Sequence, residues 1–423
     1  MDDMSKRLAA LSPEQLRLLE LRLKQQGLSQ PSPAPAAASG EGAAIGEGVA
    51  IGEGAGIEDD SEGFDHWKGR ASAGAMQFGL YFFSDDGANT AGNKYRLLLE
   101  SARFADEHGF AAVWTPERHF QDFGGLYPNP AVLSAALATI TKRIQIRAGS
   151  IALPLHHPMR AAEEWAVVDN LSEGRVAVSI ASGWHPNDFI FAPENYERRR
   201  DVMYESIATV QRLWAGEAVC FKGINENETE LRSFPRPIQP RLPVWVTTAG
   251  SAETWAKAGE IGANILAALV GYSPDDLREK IKLYRRSRAR HGHDPEQGIV
   301  SVMAHTLIGE SNQVVKEMAR APLMSYLRMY INQFVNFGYE ADEVTEEDKH
   351  TIVATAFEHY FEHGALIGTP GKCSRLIDRL IELGVNDMAC LIDFGLDLDS
   401  VMRSLGYLNE LRAHYAQRVA VSH

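Results

Sequence analysis

Cysteine is scarce: the chain of 423 residues has three, Cys220, Cys373 and Cys390, far apart and without a CxxC. That spacing excludes a disulfide framework and a cysteine zinc site, and it fits a reducing cytoplasm. Long apolar runs are also missing; none reaches the ~20 residues a membrane span needs. The opening MDDMSKRLAALS lacks the basic-then-apolar order of a signal peptide, so a cytoplasmic location is expected. Positive charge is outnumbered, with 42 Lys and Arg against 56 Asp and Glu, a formal net charge of -14. This balance argues against a general nucleic-acid binder and offers no polybasic patch to a membrane. What remains is 45% hydrophobic and 23% charged, the composition of a soluble globular protein of one large or two ordinary domains.

The first 70 or so residues differ from the rest. Ser12-Pro13-Glu14-Gln15 is a helix start, with Ser12 as cap, Pro13 in the first turn and Gln15 able to reach back. Leu16, Leu19 and Leu23 then share a helical face, and Gly27 is placed to end it. A lone helix of this length is marginal, so its leucines need a partner surface. Residues 1–29 are read as a helical docking segment. Residues 30–75, which include GEGAAIGEGVAIGEGAGIEDD, are read as a mobile linker, because Ala/Gly/Pro/Glu text cannot bury a core. The globular domain is expected over 76–418.

From Met76 onward, apolar strands alternate with amphipathic helices. The strands are read at FGLYFFS, AAVWTPE, RIQIRAGSIALP, RVAVSIAS, LPVWVTTAG, ANILAALVG, IVSVMAHTLIG and DMACLIDFG. Eight such units predict a closed (β/α)8 TIM barrel of the α/β class. The alternative is an open doubly wound sheet, and no GxGxxG follows the first strand to support it. In a barrel, function gathers at the C-terminal ends of the strands.

Three of those ends carry chemistry. Thr247-Thr248-Ala249-Gly250-Ser251 runs into a helix with Thr254 in its first turn, either an ordinary N-cap or a phosphate seat. Glu253 would oppose a phosphate unless it points away. Ser182-Gly183-Trp184 is either a tight turn with Trp184 as packing or a close approach to a flat ligand. Gly149 lies inside a strand before Ser150, which points to a bulge or a close ligand approach. His119, His156 and His157 match no zinc spacing, and adjacent histidines on an extended chain point to opposite sides, so no metal is expected. His119 follows Glu117 and Arg118 at a strand end, as a base could, or as part of an ion-paired structural cluster.

VWTPERHF (113–120), AGSIALPLHHPMRAAEEWAVVDNLSEGRV (148–176), SIASGWHPNDF (179–189) and PVWVTTAGSAETWAKAGEIGANIL (243–266) resemble the bacterial luciferase-like flavin monooxygenases, over residues 76–415. SGWHPNDFIFAPENYERRR resembles the branch found in natural-product assembly lines, and SPEQLRLLELRLKQQG resembles linker text of nonribosomal peptide synthetases. The resemblance implies reduced FMN across the barrel mouth, supplied by a separate flavin reductase, with O2 as co-substrate. It places a non-prolyl cis peptide at Gly149–Ser150 against the flavin ring. It puts Ser182, Gly183, Trp184, Thr247, Ala249, Gly250, Ser251 and Thr254 around the cofactor, with contacts to its phosphate, and His157 beside the third strand's end. Two departures stand out. Luciferases carry a histidine pair after the second strand, the first of them catalytic; Arg118 holds that place here and His119 the second. Their fourth-strand cysteine is Ala181, which argues against light emission. His119 is the base candidate, with Arg118 beside it. The implied reaction is hydroxylation, N-oxygenation or Baeyer–Villiger insertion on an acyl or aminoacyl group held by a carrier protein. The segment 322–363, with Tyr326, is placed to act as a lid, and a homodimer is expected through helices at 129–140 and 158–171. The rival readings are a deazaflavin-dependent oxidoreductase, a flavin-binding protein without chemistry, and a carrier-docking module.

Overall fold

The computed structural model describes residues 76–83, 93–121, 124–183, 185–270, 272–335 and 346–421. The N-terminal docking segment and linker lie outside these residues. The strands are β1 (Gln77–Tyr81), β2 (Ala112–Thr115), β3 (Gln145–Ala152), β4 (Val176–Ala181), β5 (Val219–Lys222), β6 (Glu228–Leu231), β7 (Val244–Thr248), β8 (Asn264–Ala268), β9 (Val300–Ile308), β10 (Leu366–Gly368) and β11 (Asp387–Leu391). The helices are α1 (Arg96–His108), α2 (Pro130–Ile140), α3 (Pro158–Leu171), α4 (Arg199–Ala215), α5 (Ala252–Glu260), α6 (Pro274–Arg290), α7 (Asn312–Val335), α8 (Glu346–His363), α9 (Pro370–Leu383) and α10 (Leu398–Val421).

Eight strands pair in parallel around a closed ring, β1-β2-β3-β4-β7-β8-β9-β11 and back to β1. This is the expected (β/α)8 barrel. The expected strands coincide with it because a parallel strand covered on both faces must be apolar nearly throughout; β11 is buried at every position. The helices follow from local signals. In α9, Thr369 caps the first turn, Pro370 starts it and Gly384 ends it at φ 96°. Cys373, Ile377, Leu380 and Leu383 form its buried stripe, worth roughly 1.5–3 kcal/mol for each large aliphatic side chain.

Three elements depart from the simple alternation. β5 and β6 form an antiparallel hairpin between α4 and β7. All four residues of β6, ETEL, are exposed, so no hydrophobic pattern announces it. Short β10 adds to the side of β9. The third strand does not run straight into His156: a 3-10 turn, Leu153–Leu155, intervenes.

The barrel interior is plugged by a polar and aromatic layer. Arg147 on β3 meets Asp387 on β11 at 2.7 Å, with both side chains buried. The guanidinium lies 4.7 Å from the Trp114 ring and 4.5 Å from that of Trp245. Trp245 donates to the Ser301 hydroxyl at 2.9 Å, and Ser301 donates to Asp387. Above this layer, toward the strands' C-terminal ends, the interior opens.

Candidate active site

Small and hydroxyl side chains make the floor of the barrel mouth. At Gly149 any Cβ would lie 2.9 Å from Tyr81 Cε2 and 3.1 Å from Trp114, so only glycine fits there. The Gly149–Ser150 peptide is cis, and the β3–β4 register shifts between Gly149 and Ile151. The Tyr81 hydroxyl donates to the Gly149 carbonyl. Burial, with the charge of Asp393 and against that of Arg118, pushes the Tyr81 phenol up from its ordinary value. It therefore stays a protonated donor. Thr247 Oγ1 bonds both the Ser150 hydroxyl and, at 2.6 Å, that of Ser179. Ser150 and Thr247 are half-buried, so this hydroxyl ladder faces the open mouth. Asp393 fastens the rim, accepting from the Phe83 N–H at 2.7 Å and the Tyr127 hydroxyl at 2.9 Å.

One side of the rim ends in a helix start. After β7, Gly250 adopts φ 118° and Ser251 caps α5, accepting from the Thr254 N–H at 3.5 Å. Ala249 is exposed, while Gly250, Ser251 and Thr254 are half-buried. Glu253 is 83% exposed and 3.7 Å from Arg200, so it points away from the helix axis with its charge offset. First-turn N–H groups and two hydroxyls make a donor set suited to a phosphate. Gly183 turns at φ 76° directly under the Phe189 ring, where a Cβ would lie 2.8 Å from Cζ. Ser182 beside it is half-buried. Trp184 lies outside the described residues. The donors and the open hydroxyl floor thus fit a flat ring with a phosphorylated tail.

The other side of the rim is ionic. Glu117 Oε1 accepts from His119 Nε2 at 3.0 Å and from His156 Nε2 at 2.6 Å, and Oε2 accepts from the Ala152 N–H at 2.7 Å. Burial pushes the Glu117 carboxyl up, but the hydrogen bonds from both histidines and Ala152 outweigh it, and the net direction is down. Burial pulls His156 down, but its bond to Glu117 and that residue's charge leave it raised. Burial raises Asp188 against the opposing charges of His119, His185 and Arg118. Arg118 itself is buried, its guanidinium 4.8 Å from the Phe83 ring and its Nη2 3.3 Å from Gln121. His119, Phe120 and Phe191 meet ring to ring and line an open pocket of about 580 Å³ with Arg118. Phe120 holds its exposed ring there at φ 58°, a conformation rare for a bulky residue.

The histidine pair divides as adjacency predicts. His157 caps α3, accepting from the Met159 N–H at 3.3 Å, and its exposed ring sits 5.2 Å from Phe221 of the hairpin. It is His156 that turns toward the mouth. Sequence reasoning did not single out three further residues: Tyr81, His156 as Glu117's partner, and His305. His305 lies on the interior face of β9, fully buried, bonded through Nδ1 to the Tyr360 hydroxyl at 2.9 Å, while Nε2 has no partner. Burial lowers it to about 3, so it is neutral. Its ring packs 4.4 Å from Tyr326 of α7, which brings the expected lid segment over the mouth. The one available signal was a lone polar side chain in period with Ser301 and Met303.

The Glu117–His156 pair predicts a pH dependence of stability. The raised histidine contributes fully below its ordinary 6.5 and loses its contribution as pH rises through its folded value. The lowered carboxylate contributes fully above its ordinary 4.5 and loses its contribution as pH falls through its folded value. Thermal midpoints of wild type and His156→Gln should therefore differ most between pH 4.5 and 6.5 and converge at alkaline pH. A pH-independent difference in the melting curves would contradict this.

With this geometry, comparison with known proteins identifies the class. Residues 76–387 match the family model of the luciferase-like monooxygenases, and the chain belongs to that family of flavin-dependent oxidoreductases. It is similar to the oxygenase component of the flavin-dependent trigonelline monooxygenase of Acinetobacter baylyi, 25% identical over 371 residues, covering 81% of this chain and 96% of that protein. The fold superposes with TM-score 0.65 on the oxygenating constituent of 3,6-diketocamphane monooxygenase from Pseudomonas putida, a type II Baeyer–Villiger enzyme in complex with FMN (21% identity; 79% of this chain, 97% of that one). An F420-dependent secondary alcohol dehydrogenase shares the fold at TM-score 0.61 and 16% identity, over 80% of this chain and 98% of that one. Among the described residues no helix is long and apolar enough to cross a membrane.

Proposed function

We propose that this chain is the oxygenase component of a two-component FMN monooxygenase. Its reduced FMN comes from a separate reductase, and its substrate is an acyl or aminoacyl group on a carrier protein's phosphopantetheine arm in natural-product assembly. The observation that carries the flavin reading is the continuous neutral donor surface from the Ser150–Thr247–Ser179 ladder to the α5 start. Gly149, Ser150 and Thr247 would meet the ring. Ser182, Gly183, Ala249, Gly250, Ser251 and Thr254 would hold the phosphate. When bound, reduced flavin supplies the two electrons that split O2, one atom entering the substrate and the other leaving as water. The chain's own part is position and dryness: water reaching the site diverts such chemistry, and Tyr326, Phe83 and Phe394 wall off the side of the mouth beneath α7 and α8. The carrier-bound substrate rests on the resemblance of the N-terminal text and of residues 182–200 to assembly-line proteins. A homodimer through α2 and α3 is supported by Val132, Val167 and Leu171, apolar and exposed on those helices.

The test is anaerobic titration with reduced FMN, followed by rapid mixing with O2. The expected result is saturable binding and a transient absorbance unlike that of free reduced or oxidised flavin. Absence of binding would overturn the reading and favour the F420-type alternative, tested by titration with the deazaflavin. Deleting residues 1–70 should lower turnover of a carrier-bound substrate at least several-fold and leave FMN affinity unchanged. Unchanged carrier-bound turnover would refute docking by this segment.

A further inference from the structure

We propose that Glu117 and His156 are positioning residues that hold His119 as a base with its Nδ1 turned to the barrel mouth, Glu117 raising and His156 restraining its proton affinity. The use of that base in oxygenation rests on the function proposed above; the device itself does not. A carboxylate oxygen only accepts, so both imidazoles must present Nε2–H to Glu117 Oε1. This fixes the His119 tautomer: a neutral ring carries its lone pair on Nδ1, the edge away from Glu117. Around that ring lie Phe120 and Phe191, in the pocket shared with Arg118. The His119 side chain is 11% exposed, that of His156 29%, and the carboxylate between them 1%. One imidazole therefore faces the site and the other leads toward solvent.

The charges oppose one another. When His119 Nδ1 takes a proton from an O–H or N–H group of the ligand, the ring becomes an imidazolium against the Glu117 carboxylate, which favours the transfer. His156 in its charged form shares the same oxygen and disfavours it. The proton is returned from Nδ1 to product or water, leaving Nε2–H in place. The other charged groups facing the trio are Arg118 on the same segment, Asp188 and His185 on the segment after β4, and Glu164 on α3. Asp188 acts with Glu117, and Arg118 and His185 act with His156. The presence of both signs is why single substitutions at Glu117 and His156 should move His119 in opposite directions.

The experiment uses the full chain with 13C-labelled histidine, the His119 signal being assigned by its loss in His119→Asn. In Glu117→Gln, the pH at which that signal titrates should fall by roughly half a unit or more, and in His156→Gln it should rise by a similar amount. Two variants that merely loosened the loop would not shift it with opposite signs. Shifts in the same direction, or none in folded protein, would overturn the proposal. If Glu117→Gln does not fold, Glu117→Asp takes its place, since a carboxylate retained at greater distance should give a smaller fall. The acid limb of any flavin-dependent turnover should follow the same two directions. Opposite NMR shifts without turnover would leave the device standing and count against the monooxygenase reading alone.

Discussion

Arg147→Leu should cost about 3–5 kcal/mol of stability, the range for breaking a buried ion pair by removing one partner. Asp387 is fully buried, its Oδ2 bonded to Arg147 at 2.7 Å and to the Ser301 hydroxyl, and its Oδ1 without a partner. Without the guanidinium, a carboxylate would remain in the barrel axis with one neutral hydrogen bond. The guanidinium also fills the space between the Trp114 and Trp245 rings, at 4.7 and 4.5 Å, so leucine loses cation–π contacts as well as charge. Urea unfolding should show a lower midpoint with an unchanged slope. The double variant Arg147→Leu, Asp387→Leu should recover much of the loss, because replacing a buried pair by apolar groups of similar volume is often neutral. A single-variant loss below about 1 kcal/mol would mean that water or a rearranged neighbour satisfies Asp387.

The same layer shows what a sequence can and cannot reveal. Its strands are legible as apolar runs because a parallel barrel buries both faces, and the seat at Thr247–Ser251 is legible because glycine, hydroxyls and a helix start are contiguous. Arg147 and Asp387 are not legible as partners: they are 240 residues apart and meet only across the closed barrel. The ionic rim is hidden for the same reason. Glu117 and His156 are 39 residues apart, and they touch because β2 and β3 pair in register, Ala112 with Gln145. Adjacency shows that His156 and His157 face opposite ways but not which faces inward. The family resemblance directed attention to His157. Its ring instead packs toward Phe221, on a hairpin whose outer strand, ETEL, carries no apolar pattern. The missed hairpin and the histidine left unassigned are one gap, since the hairpin is what gives His157 a place to pack.

Gly149→Val should weaken reduced-FMN binding at least about tenfold, or 1.4 kcal/mol, while the barrel still folds. The new Cβ would begin 2.9 Å from Tyr81 and 3.1 Å from Trp114. Neither neighbour is free to retreat. Tyr81 is tied through its hydroxyl to the Gly149 carbonyl itself. Trp114 is pressed between the Arg147 guanidinium and an edge contact with Trp245 at 5.7 Å. Overpacking of this kind costs about 1–3 kcal/mol and is relieved by backbone shifts. The side of Gly149 that can yield is the open mouth, so the floor should rise where the flavin ring would lie, carrying Ser150 and its bond to Thr247 with it. Tyr81→Phe is the informative companion. It removes the hydroxyl tie without adding volume, so it should loosen binding only a few-fold, whereas valine loses both the tie and the space. Fluorescence-monitored anaerobic titration of the two variants, with circular dichroism to establish that both are folded, separates the effects. Equal affinity of folded Gly149→Val and wild type would show that the flavin, if it binds, does not rest on this floor, and the ring would then have to be sought above the Phe120–Phe191 pocket.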